Sequence, residues 1–292
     1  MSANGPWPPP SSSVQAARRV LADRLCDVRR DAGLSGKQLA EHLGWYPSKV
    51  SRIEHARTAP SAEDVRAWCL ACGVPEHADD LVASLRAVEG MFVEWRRMER
   101  AGLHQAQAAV LPLFERTSRF RSYSSWLVPG LLQTRAYTEA VLRAVQRRRV
   151  AVDDVEAAVA ARIERQQVLL DPGKTFAFLL EESVLLSSIG DRDVLAGQLE
   201  HLAAVASRPN LSVGIVPAGP GRSRMPVEGF WIYDTTQVNV ELISGYLTIT
   251  QAHEITQYAG AFAELADQCV YGAAARQVIG QALARLRPGM SS

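Results

Sequence analysis

Residues 34–57, LSGKQLAEHLGWYPSKVSRIEHAR, restrict this chain more tightly than any other stretch of it. Ser35 predicts a cap for a short helix that buries Leu39, Ala40 and Leu43, and Gly44 supplies the turn that ends it. Pro47 then starts a second helix, because the N–H that proline lacks would have no partner at a first helical position. Val50 and Ile53 stand three apart on that helix, so one face packs inward. Ser48, Lys49 and Arg52 are left on the outside.

Two short helices, a tight turn, and small polar and basic side chains turned outward make a helix-turn-helix, which places its second helix in a DNA major groove. The run Leu39-Ala40-Glu41, then Val50-Ser51-Arg52-Ile53-Glu54, then Pro60 resembles the DNA-binding domain of the lambda-repressor and Cro class, often called the XRE class. The resemblance implies base-edge contacts from Ser48, Lys49 and Arg52, with Lys37, Gln38, Arg57 and Thr58 completing the DNA-facing set. Arg57 and Thr58 fall in the loop that faces backbone phosphate in that class. Pro47 departs from the pattern, which often has glutamine or another polar reader there. The resemblance also pairs Glu54 with Arg29 of the first helix, a contact that braces two helices and reads no bases. The competing reading, a fragment of an all-α bundle with solvated polar faces, leaves the joint placement of glycine, proline and outward polar residues without a reason.

At 292 residues and 47% hydrophobic composition the chain can bury two ordinary cores, which predicts two domains. No apolar run approaches the ~20 residues of a membrane-spanning helix. The first residues, ANGPWPPPSSS after the start, form a Pro- and Ser-rich tail expected to be disordered over residues 1–15, not a signal peptide, and a cytoplasmic location follows. Cys26, Cys69, Cys72 and Cys269 are too scattered for a disulfide framework. Cys69 and Cys72 form a lone C-x-x-C on a predicted helix, where small buried residues explain them better than metal does. Net charge is only +1, yet residues 1–74 carry ten bases against seven acids and residues 91–149 eleven against four, while residues 150–292 carry ten against sixteen. Basic character therefore gathers where phosphates would be met.

Taken in order, a first helix over residues 16–31 carries Leu21, Leu25 and Val28, and Ser61 caps a fourth through Val65 and Trp68. A fifth helix begins with Pro75 and the acids Glu76, Asp79 and Asp80. The expected DNA-binding domain is residues 16–85, mainly α with five helices in the lambda-repressor-like manner. Leu85, Val88, Phe92, Trp95 and Met98 extend the apolar stripe as a connecting helix over residues 86–102. Residues 103–288 read as an α+β domain with a mostly antiparallel sheet: a helix over 104–116, a strand over 120–128, and a helix over 152–170 with Arg162, Glu164 and Arg165 outward. Strands over 175–180, 211–216, 230–233, 238–242 and 246–250 follow, among helices over 191–206, 252–265 and 273–286. The pieces Trp95-Arg96-Arg97 and Pro129-Gly130-Leu131-Leu132-Gln133-Thr134 resemble the C-terminal domain of unknown function carried by many actinobacterial XRE-class regulators. Such regulators are often encoded beside a small partner and are likened to toxin-antitoxin systems.

No named catalytic route is present. His253-Glu254 opens an H-E-x-x-H pattern, but Gln257 stands where the second imidazole belongs. Gly219, Gly221 and Arg222 lack the Gly-Lys-Ser/Thr of a phosphate loop, and no G-x-S-x-G elbow occurs. The expectation is therefore a chain that is not an enzyme and uses no metal and no cofactor. A ligand pocket is suggested by the Pro129-Gly130 turn with Tyr137, Glu181, Glu182, Trp231, Tyr233 and Glu241, whose aromatic surface and carboxylates suit a cationic or amphipathic molecule. The alternative is core aromatics with an acidic solvated rim. Together these readings predict a sequence-specific transcription regulator. It acts as a homodimer on a double-stranded DNA operator, and its C-terminal domain takes a small-molecule or small-protein effector. The rival is an antitoxin-like interaction protein that holds a small partner encoded nearby and represses its own operon.

Overall fold

The computed structural model describes residues 12–94, 102–187, 189–219, 221–243 and 245–286. The chain divides into two compact units, residues 1–93 and 94–292.

In the first unit α1 spans Ser12–Asp31, α2 Gly36–Leu43, α3 Pro47–Glu54, α4 Ala62–Ala71 and α5 Ala78–Met91, with a short 3-10 turn at Pro75–His77 before the last. The first helix starts at Ser12, earlier than residue 16; the rest of the expected tail lies outside the described residues. Two helix starts are fixed by reciprocal caps. Ser35 Oγ accepts from the Gln38 N–H while Gln38 Oε1 accepts from the Ser35 N–H, and Ser61 and Asp64 do the same for α4. Gly44 closes α2 in the left-handed conformation at φ 64°, which a side chain would strain. Leu21, Leu25, Leu39, Val50, Ile53, Val65, Trp68 and Leu81 form the core, and the Trp68 indole N–H, buried among them, donates to Leu25 O at 3.0 Å. Cys69 and Cys72 are buried thiols of this core, and burial pushes Cys72 up to about 11.

The helix expected over residues 86–102 does not run that far: α5 stops at Met91, and Phe92–Glu94 (β1) is extended. Phe92 and Val93 interrupt the helical preference with aromatic and β-branched residues. Trp95, Arg96, Arg97 and Met98 lie outside the described residues.

The second unit contains a mixed, mostly antiparallel sheet of six strands: β2 (Arg119–Ser124), β3 (Thr175–Glu181), β4 (Leu211–Val216), β5 (Phe230–Tyr233), β6 (Gln237–Glu241) and β7 (Gly245–Ile249). Their spatial order is β7-β6-β5-β2-β3-β4. The pairs β2–β3 and β3–β4 are parallel; the others are antiparallel. Parallel neighbours need long crossovers. Here those segments carry α8 (Arg135–Arg149), α9 (Val155–Arg165) and α10 (Arg192–Val205). Two further helices, α6 (Leu103–Ala108) and α7 (Leu111–Arg116), precede the sheet, and α11 (Ala252–Ala266) and α12 (Gly272–Leu286) follow it.

Three boundaries differ from expectation. The helix expected over 104–116 is broken into α6 and α7, because Pro112 has no N–H for a continuing ladder and its ring crowds the preceding turn. The strand over 120–128 ends at Ser124, whose hydroxyl turns back onto Leu127 O at 2.6 Å. The helix over 152–170 is α9 followed by a 3-10 segment, Gln166–Leu170. One face of the sheet carries Phe120, Phe176, Phe178, Val213 and Ile215 into the main core, together with Tyr137 of α8 and Ile279 of α12. The other face meets α11, where Phe230 packs edge-on against Tyr258 at 5.0 Å.

Candidate nucleic-acid interface

The geometry of α2 and α3 follows from a few local contacts. Trp45 N–H donates to Ala40 O at 2.8 Å, which seats the turn after Gly44. The residue before a proline is pushed into the extended region, and Tyr46 sits there at φ −75° and ψ 137°, its side chain 83% exposed. Val50 and Ile53 are buried, so α3 is held along one side and presents Ser48, Ser51 and Arg52 outward. The rear of the helix is clamped by Arg29, whose Nε lies 2.6 Å from Glu54 Oε1, the two side chains being 11% and 12% exposed. Arg29 also donates to Leu34 O at 2.6 Å, so one guanidinium ties α1, the start of α2 and the end of α3 together. The Glu54 hydrogen bond outweighs the cost of burial and raises the Arg29 guanidinium above its ordinary value.

The residues expected to face DNA do not all stand alike. Ser48, Arg52, Lys37, Arg57 and Thr58 are exposed. Lys37 lies 4.0 Å from Glu41, a surface pair of small weight. The loop that carries Arg57 and Thr58 is shaped by their two N–H groups, which both donate to Arg52 O at 2.8 and 3.2 Å. Ala56 takes a left-handed φ of 52° to allow this. Gln38 is exposed, but its acceptor oxygen is committed to the cap at Ser35.

Lys49, its side chain 37% exposed, is also tied inward. Its ammonium lies 2.6 Å from Asp64 Oδ1 and 3.8 Å from the centre of the Trp45 ring, so it braces α3 against α4 and the turn. Burial pushes the Asp64 carboxyl up, but the Lys49 and Ser61 hydrogen bonds prevail and hold it below its ordinary value. Tyr46 is the exposed aromatic of this surface that residue-by-residue reading passed over; the X-Pro rule at Tyr46-Pro47 was the available signal.

The six residues suggested as a ligand site are not all brought together. Tyr137 is fully buried in the main core. Glu181 faces the opposite side of the sheet from Trp231 and Tyr233, because it alternates with Leu180, which pairs in line with Ser124 on their side. It holds Arg222 in a fork at 2.6 and 2.7 Å and accepts from Tyr123 Oη at 2.7 Å. Glu182 accepts from the Ala218 N–H at 2.8 Å. Trp231 and Tyr233 do share a face, their rings stacked at 6.0 Å, and Glu241 lies on that face in register. Arg162 and Arg165, expected outward, are half-buried instead. They continue the face of α9 that buries Val155, Ala158 and Val159, at the spacing of one helical side.

Among the described residues no helix is long and apolar enough to cross a membrane, and no grouping of His, Cys, Asp and Glu is arranged to hold a metal ion. Comparison with protein families matches residues 20–84 to a helix-turn-helix domain and residues 107–281 to a domain of unknown function (DUF5753). Neither the curated proteins nor the solved structures give a match.

Proposed function

The chain belongs to the family of the domain of unknown function (DUF5753), and we propose that it is a sequence-specific transcription regulator that reads a double-stranded DNA operator through α3. The observation that carries the reading is the two-sidedness of α3: Val50 and Ile53 are buried, while Ser48 and Arg52 stand exposed beside the equally exposed Arg57 and Thr58. A guanidinium suits the paired acceptors of guanine, and a serine hydroxyl suits any base edge. Lys37, Arg57 and Thr58 are assigned to backbone phosphate, which sets register without reading sequence. Lys49 is assigned to holding α3 in place, and Tyr46 to apolar contact in the groove.

One recognition helix covers only a few base pairs, so the protein works as a homodimer on two half-sites about one helical turn apart. The C-terminal domain supplies the dimer contact and takes a small-molecule or small-protein effector. In this reading the chain is not an enzyme and needs no cofactor. Genomic binding-site mapping with the full-length protein, repeated with its neighbouring gene deleted, tests the proposal. Discrete sites with two related halves support it, and a change of occupancy on deletion supports a protein effector. Uniform binding with no enriched sequence would remove the regulator reading.

A further inference from the structure

Arg162 and Arg165 of α9 are held by neutral partners. Arg162 donates from Nε to Gln107 Oε1 at 3.0 Å and from a terminal nitrogen to Gln133 Oε1 at 3.1 Å. Arg165 donates to Gln107 O at 3.2 Å. Both side chains reach the same spot in the chain, for a methyl group on Gly130 would lie 3.7 Å from an Arg165 nitrogen and 3.9 Å from Arg162 Nε. Among the described residues neither forms an ion pair, although both feel the charge of Glu241. Burial, and then the neighbouring Arg165, pulls the Arg162 guanidinium down to about 10; burial lowers Arg165 as well. Two like charges in a poorly hydrated place are costly unless something negative meets them.

The surroundings give that something a shape. Arg165 lies over the Phe114 ring at 5.3 Å, and Phe114 is in ring contact with Trp231 at 6.4 Å and Tyr233 at 5.9 Å. Trp231 is half-buried, so this aromatic wall remains within reach of solvent. Three buried polar atoms in the same neighbourhood have no partner among the described residues: Arg165 Nε, and Ser122 Oγ and Asn239 Nδ2, whose residues lie directly across from Trp231 on either side in the sheet. Buried donors are rarely left so without a purpose.

The geometry points to an anion-binding site at Arg162 and Arg165 for a small organic molecule that carries a carboxylate or phosphate on an aromatic body. It deepens the effector reading of the C-terminal domain and rests on it. The headgroup takes the two guanidiniums, with Arg165 Nε completing a fork, and the body lies along Phe114 and Trp231. The ligand is thus of opposite charge to the cationic one that the acids of the sequence suggest.

Titration calorimetry on the full-length protein with phenylphosphate, benzoate, inorganic phosphate and benzylammonium tests this. Saturable binding of phenylphosphate or benzoate at one site per chain is expected, with inorganic phosphate and benzylammonium at least tenfold weaker; whichever aromatic anion binds tighter selects the headgroup. Arg165→Gln should lose at least tenfold in affinity and Arg165→Lys less. On the wild-type chain, the bound anion should slow phenylglyoxal modification of Arg162 and Arg165. No saturable binding by either aromatic anion, equal binding of benzylammonium, or absence of protection would overturn the site. Duplex binding measured on the same samples separates the two claims: DNA bound without the anion removes this site alone, and the anion bound by a chain that selects no duplex removes the regulator reading alone.

Discussion

Replacing Glu54 by Gln should loosen the DNA-binding unit by a calculable amount. The pair sits at 2.6 Å with both side chains close to nine-tenths covered, so the substitution leaves a guanidinium without its counter-charge in a place water reaches poorly. Breaking a buried pair from one side costs about 3–5 kcal/mol. Arg29 keeps its bond to Leu34 O and an outlet beside Cys26, which places the expected loss for Glu54→Gln near the lower end, about 3 kcal/mol. Arg29→Met removes the Leu34 bond too and should cost about 1 kcal/mol more. The double variant should then fall short of the summed losses by about 2 kcal/mol, since its second change removes the charge that the first stranded. Urea unfolding of the four full-length proteins, followed at the transition that Trp68 reports, gives all three values. Strict additivity, with Glu54→Gln within about 0.5 kcal/mol of wild type, would refute the account of how α1 holds α3.

Two shorter predictions concern the same unit. The Asp64 carboxyl is held below its ordinary value in the folded state, so its contribution to stability is complete above pH ~4 and is lost as pH falls through the lower folded value; Lys49→Met should flatten the acid limb of a thermal-melting profile, and an unchanged limb would contradict the pairing. Ala56 occupies a left-handed conformation that glycine tolerates better; Ala56→Gly should raise stability by about 0.5–1 kcal/mol in denaturant titration, and a loss of that size would show that φ is not the controlling factor.

What was legible in the sequence was what short-range chemistry decides. Ser35, Gly44 and Pro47 act within a turn of where they stand, and the apolar spacing of Leu39, Val50 and Ile53 needs no distant partner to be read. The tie of Lys49 to Asp64 is not legible locally, because the partner comes from a helix fifteen positions on. The same limit governed the second unit. Which face Glu181 takes depends on the register of the whole sheet, and an i, i+3 pair of arginines at the end of α9 looks like a solvated edge until Gln107, Gln133 and Phe114 are known to close around it. The break at Pro112 is readable from the residue itself, although the longer apolar pattern runs across it.

The central claim is that the exposed side of α3 reads bases, and in vitro selection of random duplexes with the full-length protein tests it most directly. The account predicts enrichment of a motif with two related halves, and a loss of about 1–3 kcal/mol per half-site, roughly 5- to 150-fold, when Arg52→Ala is titrated against the selected duplex. Arg57→Ala should weaken selected and unselected duplexes alike. Failure to enrich any motif, or equal affinity of Arg52→Ala and wild type for the one selected, would contradict it.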